Sequence, residues 1–134
     1  MRPLQAFLLL LLVSPGLFAQ ERELVRPGEW EVKSGTEGQP MIGYRLCFRY
    51  GNQADVAQLL PRVQGSACPP GNLRRDGDEL VWELACPAAQ LSAGARYALR
   101  TELIEGRIVV SSGTPSVAHN STISARYVGA CGKD

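Results

Sequence analysis

A cysteine stands at each outer end of a predicted β-hairpin in the middle of the chain, and this feature constrains the fold most. Gly77 lies midway between Cys68 and Cys86, within the run Asp76-Gly77-Asp78, which supplies the left-handed backbone that a tight reversal needs. The next residues alternate apolar and polar, as in a half-buried antiparallel strand. The apolar residues are Leu80, Trp82, Leu84 and Cys86. The segment therefore predicts two paired strands.

The register of this hairpin decides whether its cysteines meet. A three-residue loop places Cys68 opposite Cys86, whereas a two-residue turn on Asp76-Gly77 shifts the pairing by one residue. Pro69-Pro70 disfavours regular pairing at that end. We expect a Cys68–Cys86 disulfide, which would contribute about 3 kcal/mol in the chain-entropy model.

The first residues have the pattern of a signal peptide. Arg2 provides a positive charge, an apolar run follows over 4–13, and Ser14-Pro15-Gly16 ends it. We expect cleavage after Ala19, which leaves 20–134 as one domain. The alternative, an uncleaved membrane anchor, is disfavoured because a span needs about 20 apolar residues.

The charge of the predicted mature chain excludes partners that are recognised by strong electrostatics. The chain has 14 basic and 13 acidic residues, and Arg2 would leave with the signal peptide, so the mature charge is near zero. We expect no nucleic-acid partner and no stable membrane span.

Four cysteines remain after processing, with one histidine, His119, in the chain. No CxxC spacing is present, and an even count in an exported chain favours disulfides over zinc. In a simple meander Cys68 and Cys86 lie at one end of the sheet and Cys131, three strand reversals later, lies at the other. If the helix carries the chain from one end to the other, Cys47 bonds Cys131 there. The competing pair, Cys47 with Cys68, would leave Cys86 and Cys131 too far apart to bond.

The rest of the chain also alternates with a period of two. We predict a mainly β fold: an antiparallel meander of about seven strands with one short helix, curved or nearly closed into a barrel. Glu105-Gly106 is predicted to be a turn. The second strand has one apolar face formed by Ile42, Tyr44, Leu46, Phe48 and Tyr50, and Cys47 lies on its other face.

The short helix is predicted to begin at Asn52, which can cap it, and to end at Pro61. Its apolar side would be formed by Val56, Leu59 and Leu60. Such a helix could cover one mouth of a curved sheet.

The aromatic residues allow two interpretations. They fill the core, or they line a cavity that holds an apolar ligand. The candidate cavity residues are Trp30, Trp82, Tyr97 and Tyr127, with Tyr44 and Tyr50 in the wider set.

No pattern in the sequence indicates catalysis, a metal site or a cofactor. His119 and the nearby serines lack a G-x-S-x-G motif and an acidic partner at a recognisable position. We expect a periplasmic or secreted non-catalytic protein, a structural or interaction module of the cell envelope with an envelope protein as partner. The alternative is a small carrier of a lipid or other apolar molecule, and a hydrolase is the least favoured class.

Several segments together resemble a known family. These are Pro27–Val32, the cysteines at 47, 68 and 86, the run Trp82–Cys86, and the ending Ile123–Cys131. In this order they resemble domain of unknown function 3617, a family of small exported bacterial proteins. The resemblance covers nearly all of the predicted mature chain. It implies export from a Gram-negative cell, and it carries no catalytic residues to transfer.

Overall fold

The computed structural model describes residues 23–61 and 68–132, so the predicted signal peptide at 1–19 lies outside the described residues. The strands are β1 (Gly28–Thr36), β2 (Ile42–Phe48), β3 (Asn72–Asp76), β4 (Glu79–Cys86), β5 (Leu91–Leu99), β6 (Leu103–Ser112) and β7 (Val117–Gly129). One short helix, α1 (Gln53–Val56), continues into a 3₁₀ turn over Ala57–Leu59, and a second 3₁₀ turn covers Pro87–Ala89. The predicted mainly β fold with seven strands and one short helix is confirmed.

All seven strands form one antiparallel sheet in the order β2-β1-β7-β6-β5-β4-β3. Strands β3 to β7 are a meander, and the hairpin of β1 and β2 adds to it because β1 pairs with β7. The sheet is open, with β2 at one edge and β3 at the other.

One face of the sheet, here called the inner face, carries the core. Its most deeply buried side chains include Trp30, Val32, Leu80, Tyr97 and Ile104. The short helix covers part of this face with Val56 and Leu59, joined by Val25 from the segment before β1. The opposite face, here called the outer face, carries most of the charged residues of the strands, as the alternation predicts.

Asn52 caps α1 as the sequence predicts, because its Oδ1 accepts a hydrogen bond from the Asp55 amide at 3.0 Å. The Asp55 carboxylate in turn accepts bonds from the amides of Tyr50 and Gly51, both at 2.8 Å. These hydrogen bonds of Asn52 and Asp55 fix the start of α1 to the chain that follows β2. The bonds of the Gly51 and Asp55 amides are buried and that of the Tyr50 amide is partly buried, so their loss would leave amides without a partner.

The prediction of a turn at Glu105-Gly106 is wrong. Both residues lie inside β6, and the chain reverses instead at Thr101 and Glu102. Gly106 is a glycine because a β-carbon there would overlap the ring of Tyr97 and crowd Ile123. The Thr101 carbonyl accepts a hydrogen bond from the Arg26 amide at 2.8 Å, which supports the real turn without a glycine.

The central hairpin differs in register from both alternatives considered for it. Asp76 pairs with Glu79, so the two-residue turn is Gly77-Asp78. Gly77 has φ +58°, the left-handed conformation that favours glycine. This register places Cys68 one residue away from the position opposite Cys86, in the segment before β3.

Candidate functional site

Two disulfides join the strands in the pairs that strand order predicts. Cys68 bonds Cys86 with a Cα–Cα distance of 5.1 Å, and Cys47 bonds Cys131 at 5.6 Å. Both distances are usual for disulfides. Cys68 lies before β3, in a segment without regular strand pairing. It can therefore reach Cys86 although the hairpin register places it one residue away from the position directly opposite. The pairs fit a chain that folds in an oxidising compartment.

The Cys47–Cys131 bond ties the edge strand β2 to the segment after β7. Glu29 of β1 pairs with Cys47 on one side and Gly129 on the other, so the chain after Gly129 turns towards β2 and brings Cys131 within 5.6 Å of Cys47 between Cα atoms. Cys47 is exposed and Phe48, its neighbour on the inner face, is buried. The predicted position of Cys47, on the face of β2 opposite its apolar stripe, therefore agrees with the structure.

The four candidate cavity residues occupy the inner face. Trp30, Tyr97 and Trp82 have exposed fractions of 0, 1 and 6%, and Tyr127 is partly buried against them. The Trp30 ring packs 5.4 Å from Phe48 and 6.3 Å from Tyr127 between centroids, and its Nε1 donates to the Arg26 carbonyl at 2.9 Å. A ligand placed among these rings would displace packed side chains.

The Tyr97 hydroxyl is held inside the protein. It donates a hydrogen bond to the Leu59 carbonyl at 2.9 Å, which connects β5 to the 3₁₀ turn after α1. Burial raises the pKa of the Tyr97 phenol well above its ordinary value, and the nearby Tyr44 adds to this shift. Tyr97 is therefore a neutral hydrogen-bond donor at any physiological pH.

Tyr44 and Tyr50 do not belong to the core. The inner face of β2 is buried at Phe48 and becomes progressively exposed towards the start of the strand, through Leu46 to Tyr44 (39% exposed) and Ile42 (68%). Tyr50 lies beyond the strand and is exposed. The helix covers only one end of the inner face, so the predicted apolar stripe of β2 is left partly in solvent.

Within residues 23–61 and 68–132, no strand lies beside the edge of β2 that faces away from β1. Its backbone groups are available for pairing, and the exposed side chains of Ile42 and Tyr44 stand next to them. Arg45 is the one charged side chain within β2, although charged residues commonly protect such edges.

A groove of about 690 Å³ lies on the outer face, across strands β4 to β7. Three cross-strand rows of outer-face residues line it. They are Glu79, Ala98, Glu105 and Ser124; Val81, Arg96, Arg107 and Thr122; and Glu83, Gly94 and Val109. Met41 closes one end, beside Gly35.

The groove combines charged side chains with two exposed apolar ones, Val109 and Met41. Val81, which also lines it, has an exposed fraction of only 3%, and its cross-strand neighbours are Arg74 of β3 and Arg96 of β5, whose long side chains are of a type that can cover an apolar neighbour. Arg96 pairs with Glu79 at 2.8 Å, and Arg74 lies 3.9 Å from Glu83. Sequence alternation marks this face as polar and gives no signal of a groove.

His119 is the remaining residue weighed for catalysis in the sequence. His119 is exposed on β7 opposite Val110. Within residues 23–61 and 68–132, no three histidine, cysteine or acidic residues are grouped as metal ligands would be. In the same residues, no helix has the length and apolar character needed to cross a membrane.

The fold defines a class of protein: a single open antiparallel sheet crosslinked by two disulfides. Residues 25–131 match the family described as protein of unknown function (DUF3617), and the chain belongs to this family. The resemblance seen in the sequence is thus confirmed over most of the chain. No curated protein matches the chain. No solved structure matches it either.

Proposed function

We propose that this protein is an exported, non-catalytic interaction module of the cell envelope, and that it binds a partner protein through the free edge of β2. The observation that carries this proposal is that, among the described residues, the outer edge of β2 has no strand beside it and carries the exposed apolar side chains of Ile42 and Tyr44. An extended segment of the partner would hydrogen-bond to the edge, and its side chains would cover the exposed end of the inner face.

The disulfide at Cys47 supports this role. It fixes β2 to the segment after β7, so the edge is held in a defined position before any partner binds. Preorganisation lowers the entropic cost of association. The two disulfides also support an oxidising location, for which export through the predicted signal peptide is the simplest route.

The position of His119 supports the non-catalytic part of the proposal. Its side chain has no hydrogen-bond or ion-pair partner among the described residues, and a general base needs a group that orients it. A hydrolase screen on the purified protein would overturn this part if it found activity that His119→Ala abolishes.

Site-specific photo-crosslinking in the cell envelope tests the proposed edge. A photoreactive residue at Tyr44 should give one defined protein adduct, whereas the same residue at Arg75, on the opposite edge strand β3, should give none. The adduct should disappear on Ile42→Lys, a change at an exposed position that leaves the fold intact. Equal labelling from both edges, or no adduct from either in oxidised and folded protein, would contradict the proposal.

A second arm tests location. Mass spectrometry of protein from the envelope should give a mature chain that begins near Gln20. A cytoplasmic protein that retains Met1 would contradict export.

A further inference from the structure

The groove on the outer face contains an unfavourable pair of like charges. Arg96 of β5 and Arg107 of β6 lie directly opposite each other in the register of the sheet, and like charges in this position destabilise a strand pair. Arg96 is neutralised by Glu79. Arg107 has no hydrogen bond or ion pair from its side chain within the described part of the chain. A bound anion would relieve this repulsion.

A free carboxylate lies beside the free guanidinium. Glu105 is two residues before Arg107 on the same face of β6, which places their Cα atoms about 7 Å apart. Glu105 also has no side-chain partner among the described residues. The other two carboxylates of the groove, Glu79 and Glu83, are both within ion-pair distance of an arginine. The groove thus offers one cation and one anion side by side.

The remainder of the groove suits an apolar chain. Val109 and Met41 line it with exposed apolar side chains, Val109 by 42% and Met41 by 59%. Gly94 and Ala98 have little or no side chain on this face and leave room above the strands. The volume of about 690 Å³ is within the range of small-molecule sites.

We propose that this groove binds a single-chain zwitterionic amphiphile, namely a monoacyl lipid with a phosphoethanolamine headgroup. The phosphate lies against Arg107 and Arg96, the ammonium lies against Glu105, and the acyl chain covers Val109 and Met41. The site is on the opposite face from the aromatic residues first considered for a carrier. It does not depend on the proposed role of the β2 edge.

Titration with two lysolipids of equal, short acyl length, below their critical micelle concentrations, tests the proposal. Lysophosphatidylethanolamine has the ammonium group, and lysophosphatidylglycerol lacks it. Wild-type protein should bind the first about tenfold more tightly, the usual size of one charge-assisted contact. Free phosphoethanolamine, which has the headgroup without the chain, should bind far more weakly than the lysolipid.

Two charge-neutralising variants separate the contacts. Arg107→Gln should weaken both lysolipids about tenfold, whereas Glu105→Gln should weaken lysophosphatidylethanolamine alone and so remove the preference. The matched controls Arg49→Gln and Asp76→Asn change the same charges at exposed positions outside the groove and should leave both affinities unchanged. Circular dichroism and thiol titration verify that each variant is folded and oxidised.

Three results would overturn the proposal. They are equal affinity of the wild type for the two lysolipids, an unchanged preference in Glu105→Gln, and binding of free phosphoethanolamine as tight as that of the lysolipid. Failure to bind either lysolipid, with folded wild-type protein, would also overturn it. None of these results bears on crosslinking at Tyr44, so the two proposals fail separately.

Discussion

The ring of Tyr97 occupies the space in which a side chain at residue 106 would lie, so that Gly106 and Tyr97 act as one packing unit across β5 and β6. The two residues are directly opposite in the register, and the Tyr97 hydroxyl extends from this position to the Leu59 carbonyl. A glycine in the middle of a strand is therefore required by the aromatic ring beside it.

Gly106→Ala should destabilise the protein strongly. The added methyl group would overlap the Tyr97 ring and Ile123, and overpacking of a core usually costs about 1–3 kcal/mol. Urea denaturation measures the change in the free energy of unfolding. Gly94→Ala is the control, because a β-carbon there meets nothing closer than the Trp82 carbonyl at 3.9 Å. A loss no larger in Gly106→Ala than in Gly94→Ala would contradict this account of the packing.

Tyr97→Phe should lower stability at neutral pH and reduce the sensitivity of stability to alkali. Loss of the bond to Leu59 leaves a buried carbonyl unpaired, at about 1–3 kcal/mol. Because burial raises the pKa of Tyr97 in the folded state, its contribution is complete below the ordinary tyrosine pKa of about 10 and is lost as pH rises above it.

The free energy of unfolding should therefore fall above about pH 10 in the wild type, and less steeply in Tyr97→Phe. Tyr50→Phe is the control for an exposed tyrosine and should keep the wild-type slope. If the free energy of unfolding fell equally steeply with pH in the wild type and in Tyr97→Phe, ionisation of the Tyr97 phenol would not be the cause of the loss of stability in alkali.

Asp55→Ala should cost about 2–4 kcal/mol, because the buried amide of Gly51 and the partly buried amide of Tyr50 lose their acceptor. Thermal unfolding measures the loss. Asp76→Ala changes the same charge on the exposed strand β3 and should shift stability by less than about 0.5 kcal/mol. A small effect of Asp55→Ala would mean that water replaces the carboxylate at these amides.

Removal of the Cys47–Cys131 bond by the double change to alanine should cost about 4.5 kcal/mol in the chain-entropy model, for a sequence separation of 84. The Cys68–Cys86 bond, with a separation of 18, should contribute about 3 kcal/mol. Paired denaturation curves of the two double variants test this order. The reverse order would indicate that contacts around Cys86, which is buried, outweigh loop length. Peptide mapping without reduction would contradict the pairing itself if it recovered a Cys47 to Cys68 peptide.

Local pattern was sufficient to predict the strands, the helix cap at Asn52 and the pairing of the cysteines. Alternation with a period of two identifies a strand from its own residues, and an asparagine before a short apolar run identifies a cap. The two disulfides followed from the number of reversals between cysteines, which does not depend on the exact register.

The errors come from contacts that are distant in sequence. Gly106 has the local signature of a turn, and only the position of Tyr97 explains its place in a strand. Tyr44 has the signature of a core residue, but the helix ends before it can cover that part of the inner face. The groove depends on how four strands lie together, so no single strand contains a signal for it.

The pairing of β1 with β7 has a consequence for the order of folding. Residues about 85 positions apart, such as Thr36 and Ser121, must meet before the hairpin of β1 and β2 can join the rest of the sheet through β7. Contacts of this kind form late because a long loop must first be closed. While the chain is being synthesised, the hairpin of β1 and β2 has no sheet to join, and an isolated two-stranded hairpin is only marginally stable in water. The topology thus delays folding until most of the chain is available.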